Sequence, residues 1–157
     1  MKITILLFTI TLFFTAFAPS KKTNSYQTEC VSLDTDGYVT IRIWNTRKGL
    51  KYKLDQARKE AIHSILFSGI AGGNGCSTQP PLLTSVDDQS SFMKVEKSFF
   101  STKGYWSRFT RNGSENSFGT KNDISATCKI YQVSIAKKEL RKYLEDNKII
   151  KPLNSGF

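Results

Sequence analysis

Apolar and polar side chains alternate without a break from Val39 to Trp44. Val39, Ile41 and Ile43 fall on one side, and Thr40, Arg42 and Trp44 on the other. A period of two predicts a strand over Tyr38–Trp44 with one buried face. Trp44 puts an aromatic ring on the second face, so that face need not be fully wet. Residues 45–49 then carry turn chemistry, with Gly49 free to take a positive φ. From Leu54 the period lengthens. Leu54, Ala57, Ala61, Ile62, Ile65 and Leu66 lie on one side of a 3.6-residue helix, opposite Asp55, Gln56, Lys59, Glu60 and His63. This predicts a helix over 54–68, with Asp55 and Lys59 as a favourable i,i+4 pair and Gly69 just past its end. No Ser, Thr or Asn cap precedes it. Ala57 and Ala61 on the apolar side let it approach a sheet closely.

The flanking segments complete a small α+β domain. Residues 28–33 predict a second strand, joined to the first as a hairpin through Asp34-Thr35-Asp36-Gly37. That tetrapeptide resembles part of a calcium loop, but the later ligands ending in a bidentate Glu do not follow, so it reads as a turn. Residues 70–85 read as loop, stiffened by Pro80-Pro81, with Leu82 and Leu83 turned into the core. Residues 92–100 predict a short helix anchored by Phe99-Phe100, residues 104–110 a strand, and residues 111–123 a polar hairpin loop whose one apolar residue is Phe118. Within that loop Asn112-Gly113-Ser114 matches a glycosylation acceptor. A last strand is expected over 126–135. A helix over 136–147 follows, with Ala136, Leu140, Tyr143 and Leu144 on its apolar face and Pro152 barring continuation. The expectation is a single domain over 28–157: three to four mostly antiparallel strands, two helices on one face, in strand-helix-strand-strand-helix order.

Composition changes the picture at the N-terminus. Residues 1–20 begin with a basic residue, Lys2, run apolar from Ile3 to Ala18 and end in small residues. This is the pattern of a secretory signal peptide. The 16-residue apolar run is short of the roughly 20 needed to span a bilayer. Ala16-Phe17-Ala18 is a small-x-small site compromised by Pro19, and cleavage before Lys21 is the alternative. Residues 21–27 read as a disordered leader. The mature chain keeps 137 residues and, without Lys2, 22 Lys and Arg against 13 Asp and Glu, a formal net charge of +9. That length carries one real core. The positive charge is scattered, and no nucleic-acid motif accompanies it. An envelope protein or an anionic lipid or glycan surface is the partner it allows. Export places the protein in the periplasm or cell envelope.

Candidate chemistry is sparse. The glycines at 69, 72, 73 and 75 follow a helix instead of opening one, and no Gly-Lys-Ser/Thr ending is present, so a phosphate cradle is not indicated. His63 is the one histidine. With Cys76 it offers the only Cys–His nucleophile pair, across a helix C-terminus that would raise a thiol pKa. Cys30, Cys76 and Cys128 form no C-x-x-C pair and, with one histidine, no zinc-site spacing. One bridge is compatible with an oxidising compartment, and Cys30 with Cys128, both on expected strands, is the pairing taken here; other arrangements stay open. No metal or cofactor is expected. Exposed aromatics and cations that would serve a binding surface are Trp44, Trp106 and Phe118 with Arg42 and Lys48, and Arg47, Lys51 and Lys53 extend the basic set.

On Gly37 to Trp44, Ala57-Arg58-Lys59-Glu60-Ala61, Ile65 to Ile70, Pro80-Pro81-Leu82-Leu83 and Phe99-Phe100, the chain resembles a group of uncharacterised secreted proteins of Bacteroidota. More remotely, its element order and closing Leu140-Arg141-Lys142-Tyr143-Leu144-Glu145 helix are similar to dodecin-like envelope modules. These include the N-terminal domain of a flagellar assembly protein and small surface lipoproteins. The departures are the lack of a lipidated cysteine and a long glycine-proline insertion. The resemblance implies assembly or binding and no catalysis. The sequence therefore reads as a non-enzymatic envelope protein. Its rivals are a small enzyme or ligand-binding protein using the 69–81 loop with Cys76 and His63, and a domain that binds anionic lipid or glycan.

Overall fold

The computed structural model describes residues 25–73, 76–111, 114–115 and 128–153. The expected signal peptide over 1–20, residues 21–24 of the expected leader, Phe118, and Asn112 and Gly113 of the acceptor triplet lie outside them. Two strands, β1 (Gln27–Leu33) and β2 (Tyr38–Trp44), form the expected antiparallel hairpin, turning on Gly37 at φ 85°. A 3₁₀ turn at Gly49–Lys51 leads into helix α1 (Leu54–His63), which continues as a π turn over Ser64–Ser68. Helix α2 (Val86–Phe99) and a 3₁₀ turn at Tyr105–Phe109 follow. Last come the two-residue strand β3 (Ser114–Glu115), strand β4 (Ile130–Ala136) and helix α3 (Lys137–Asp146).

The sheet order is β1-β2-β4-β3 with every neighbour antiparallel. Three strands are full length, and β3 only extends the edge of β4 begun by the bridge between Thr110 and Ile135. The class is α+β, a small sheet with helices, as the alternation and periodicity predict. Val39, Ile41 and Ile43 of β2 and Tyr131, Val133 and Ile135 of β4 are all buried, and so are Ala57, Ala61, Ile62 and Ile65 of the helical segment lying across them. Methyl side chains at 57 and 61 keep the helix axis near the sheet.

The departures have local causes. Helix α2 starts six residues before the predicted 92 because Ser85 caps it. The Ser85 hydroxyl accepts from the Asp88 N–H at 3.0 Å and the Asp88 carboxylate from the Ser85 N–H at 3.1 Å. The strand expected over 104–110 is a 3₁₀ turn. Both interleaved sets of that heptapeptide contain aromatics, so period two was ambiguous. Three residues per turn place Trp106 and Phe109 inside together, and the Trp106 indole N–H donates to Ser101 O at 2.8 Å. There are accordingly three α-helices among the described residues, with two strands before the first, and the strand-helix-strand-strand-helix order is corrected. Within the expected leader over 21–27, residues 25–27 are ordered. Ser25 Oγ accepts from Asn45 Nδ2 at 3.1 Å, Tyr26 packs on the core, and β1 begins at Gln27. On α1, Asp55 pairs with Arg58 at 3.5 Å and not with Lys59, whose ammonium donates to Phe100 O at 2.7 Å.

Candidate functional site

Cys30 and Cys76 form the disulfide, with their Cα atoms 5.9 Å apart. This corrects the pairing of Cys30 with Cys128. The latter sits in a bend before β4, and burial pushes its thiol pKa up. The bridge also removes the Cys–His nucleophile, since the Cys76 sulfur has no thiolate to offer. His63 turns instead to the N-terminal segment: its Nδ1 lies 2.8 Å from the Tyr26 hydroxyl, and its ring stands 4.6 Å from that of Phe67.

Around this histidine the helix face named polar in the sequence builds a network. The buried Tyr52 hydroxyl donates to Glu60 Oε2 at 2.7 Å, Gln56 Nε2 donates to Glu60 Oε1 at 3.0 Å, and the Tyr131 hydroxyl donates to Tyr52 O at 2.9 Å. Burial first, and the Glu60 charge second, push the Tyr26 pKa up. Burial, with the hydrogen bond and charge of Glu60, does the same to Tyr52. A phenol held this firmly protonated is not a base or nucleophile near neutral pH. Its signature is alkaline. The unfolded chain releases these protons near pH 10, while the fold retains them. Stability is thus fully present below about pH 10 and falls as the pH rises beyond it. Urea midpoints measured from pH 8 to 11 are expected to drop above about 10, and more steeply in the wild type than in Tyr52→Phe, by up to about 1.4 kcal/mol per pH unit for that residue.

Among the described residues, the sequence-selected binding residues do not converge. Trp106 is 4% exposed, covered by the Arg58 and Lys59 cations at 5.3 and 5.1 Å from its ring centroid. Arg42 is paired with Glu29 at 3.2 Å across β1 and β2. Trp44 is half-buried on the sheet face away from α1, and Lys48 is exposed on the turn after β2. Neither these two nor Arg47, Lys51 and Lys53 line the grooves described next.

What the fold does assemble is a groove of about 480 Å³ at one end of the sheet. The β2–β4 register pairs Tyr38 with Ala136, so the hairpin turn that opens β2 lies beside the end of β4. Helix α3 begins at the next residue, and its first turn therefore packs against Gly37. Gly37 O accepts the Lys138 N–H at 3.4 Å, and a Cβ on Gly37 would stand 2.8 Å from Lys138 Cβ. The third wall is the segment 79–84. The bridge between Ile70 and Gln79 fixes its start, at 2.8 and 2.9 Å, and the Cys30–Cys76 bond tethers the loop to β1. The N–H groups of Leu82 and Leu83 fix its end by donating to Ile65 O and Leu66 O at the close of the π turn.

Leu33, Val39, Pro80, Pro81 and Leu82 give the groove an apolar lining, and Lys137, Lys138 and Arg141 stand against a single carboxylate, Asp34. Lys137 is half-buried and donates to Gln79 Oε1 at 2.9 Å. Arg141 is held by Glu145 at 2.9 Å. Burial, and then the Arg141 charge, lower the Lys137 pKa. No side chain caps the start of α3. The helix dipole adds to the positive field of the three cations. The first turn also carries an acid, Glu139, as helix starts usually do, but Glu139 does not line the groove. The Lys137-Lys138 pair at a helix start is the sequence signal that the reading by apolar face alone passed over. A second groove of about 500 Å³, between α2 and the end of α3, is lined by Asp87, Asp88, Glu145 and Asp146. There Asp88 is committed to the Ser85 cap and Glu145 to Arg141. Comparisons with protein-family models, with curated proteins and with solved structures find no match.

Proposed function

We propose that this is an exported, non-catalytic binding protein of the cell envelope, whose ligand is a small amphipathic anion held between the hairpin turn, the 79–84 segment and the start of α3. The observation that carries the reading is one groove combining an apolar lining with Lys137, Lys138 and Arg141. Its volume lies within the range of roughly 300–1,000 Å³ common to small-molecule sites. An anion there relieves two unfavourable terms already present in the fold: cations at the positive end of a helix dipole, and a half-buried ammonium beside a guanidinium. Export is supported by the basic-then-apolar N-terminal sequence, and the Cys30–Cys76 bond is compatible with it. The same bond leaves Cys76 no free thiol, which tells against a reactive Cys76–His63 pair.

The test is a calorimetric titration with octanoate and, as the neutral match, octan-1-ol. Octanoate is expected to bind more tightly than the alcohol and to weaken with added salt. Replacing Lys138 and Arg141 together by glutamine should weaken octanoate at least about tenfold, equivalent to about 1.4 kcal/mol, while leaving the alcohol unchanged. Equal affinities for acid and alcohol, or an unaffected double variant, would sink the reading.

A further inference from the structure

We infer that Lys137 is a nucleophilic amine, and that the groove captures anions carrying an aldehyde or ketone as a Schiff base at this residue. The inference rests on the anion groove proposed above and adds a covalent step to it. Among the cations lining the groove, Lys138 is exposed and Arg141 is a guanidinium. Lys137 alone is a half-buried primary amine. Its nitrogen is positioned by Gln79 Oε1 at 2.9 Å, and that residue's backbone is fixed on both sides by the bridge to Ile70. The amine is thus presented from a rigid frame and not from a freely rotating surface chain.

Two features activate amines of this kind: a desolvated setting and an adjacent cation. Both hold here. Burial and Arg141 lower the Lys137 pKa, which raises the fraction carrying a free lone pair. The other ionisable groups facing the groove are Asp34 and Tyr38 from the hairpin and Lys138 from α3, and Glu145 screens part of the Arg141 charge. Asp34 and Glu145 carry the charges that oppose the effect. The two remaining cations supply what an anionic carbonyl compound needs: they hold its carboxylate or phosphate while the carbonyl carbon meets the amine.

The chemistry balances without an oxidant or reductant. The neutral amine adds its lone pair to the carbonyl carbon, a C–N bond forms and the C–O π bond opens to a carbinolamine. Loss of water, which takes the carbonyl oxygen and both hydrogens of the original amine, leaves the C=N bond. Carbon and nitrogen keep their oxidation levels, and hydrolysis returns both partners. The resident ligand class is accordingly a short oxo-acid or an aldehyde-bearing phosphate.

The experiment uses the mature, disulfide-intact chain with 8-oxooctanoate and, separately, octanal. Cyanoborohydride reduces any imine to a stable secondary amine, and peptide mass mapping locates it. Lys137 is expected to label about tenfold faster than exposed lysines such as Lys94 and Lys148 with either aldehyde, and octanoate should protect it. Lys137→Arg, which keeps the charge but has no primary amine, should abolish the fast site. A Lys137 rate no greater than that of the exposed lysines, with both aldehydes, overturns the covalent step, and octanoate calorimetry on the same sample shows separately whether the groove holds anions. Fast Lys137 labelling by octanal without octanoate protection overturns the anion-held form of the proposal, and selective labelling lost on denaturation supports it.

Discussion

Opening the Cys30–Cys76 bridge is expected to lower the unfolding free energy by about 4 kcal/mol. The cysteines are 46 residues apart, and the loop they close contains β2, α1 and the π turn. Cross-linking a loop of that length removes conformational entropy from the unfolded chain worth about 4 kcal/mol at room temperature. A typical domain has only about 5–15 kcal/mol in total. Urea unfolding of the oxidised protein, the reduced protein and the Cys30→Ala/Cys76→Ala double variant measures the loss. The alanine variant should be slightly the worse of the two, since Cys30 is fully buried and its sulfur leaves a void. The loss should reach the groove as well. Gln79, three residues beyond Cys76, positions the Lys137 ammonium, so octanoate affinity is expected to fall on reduction. A reduced protein within about 1 kcal/mol of the oxidised one would show that the loop is held by its backbone bridges alone.

Truncating Phe99 to alanine is expected to cost about 3–5 kcal/mol. Its ring is 1% exposed and lies 5.3 Å from Phe92, 4.9 Å from Phe100, 6.1 Å from Phe109 and 5.7 Å from Tyr143 between centroids. Those neighbours belong to α2, the residue after it, the Tyr105–Phe109 turn and α3. One side chain therefore joins three elements. Phe99→Leu should recover more than half of the loss by retaining apolar volume. Met93→Ala on the same helix is the control: that side chain is 65% exposed, and its change should stay within about 0.5 kcal/mol. Denaturant midpoints of the three variants decide the matter. A cost below about 1 kcal/mol for Phe99→Ala would mean that α2 is held by other contacts.

Much of the fold was legible because its signals are local. A hairpin needs two alternating runs and a turn residue tolerant of positive φ, and Gly37 between β1 and β2 supplies the turn at φ 85°. Helix α1 needs one apolar stripe, and Ala57, Ala61 and Ile62 are its buried residues. What failed was also local, but degenerate. Tyr105 to Thr110 satisfies period two and period three equally well, and packing of Trp106 and Phe109 chose the second. The Ser85 capping box was readable from Ser85 and Asp88 and was passed over beneath the glycine and proline signals before it.

The groove belongs to another category. The sequence by itself determined the α+β class, the β1–β2 hairpin, the apolar faces of α1 and α3 and the burial of Leu82 and Leu83. Each follows from spacings within about one helical turn or one strand. The tertiary structure alone decided which cysteines meet and which cations share a wall. Cys30 and Cys76 are joined because the loop after α1 returns to β1, and Lys137 reaches Gln79 across 58 residues because β4 ends beside the start of β2. Such meetings depend on strand order and register, which are settled by the packing of the whole core and leave no periodic trace in the chain.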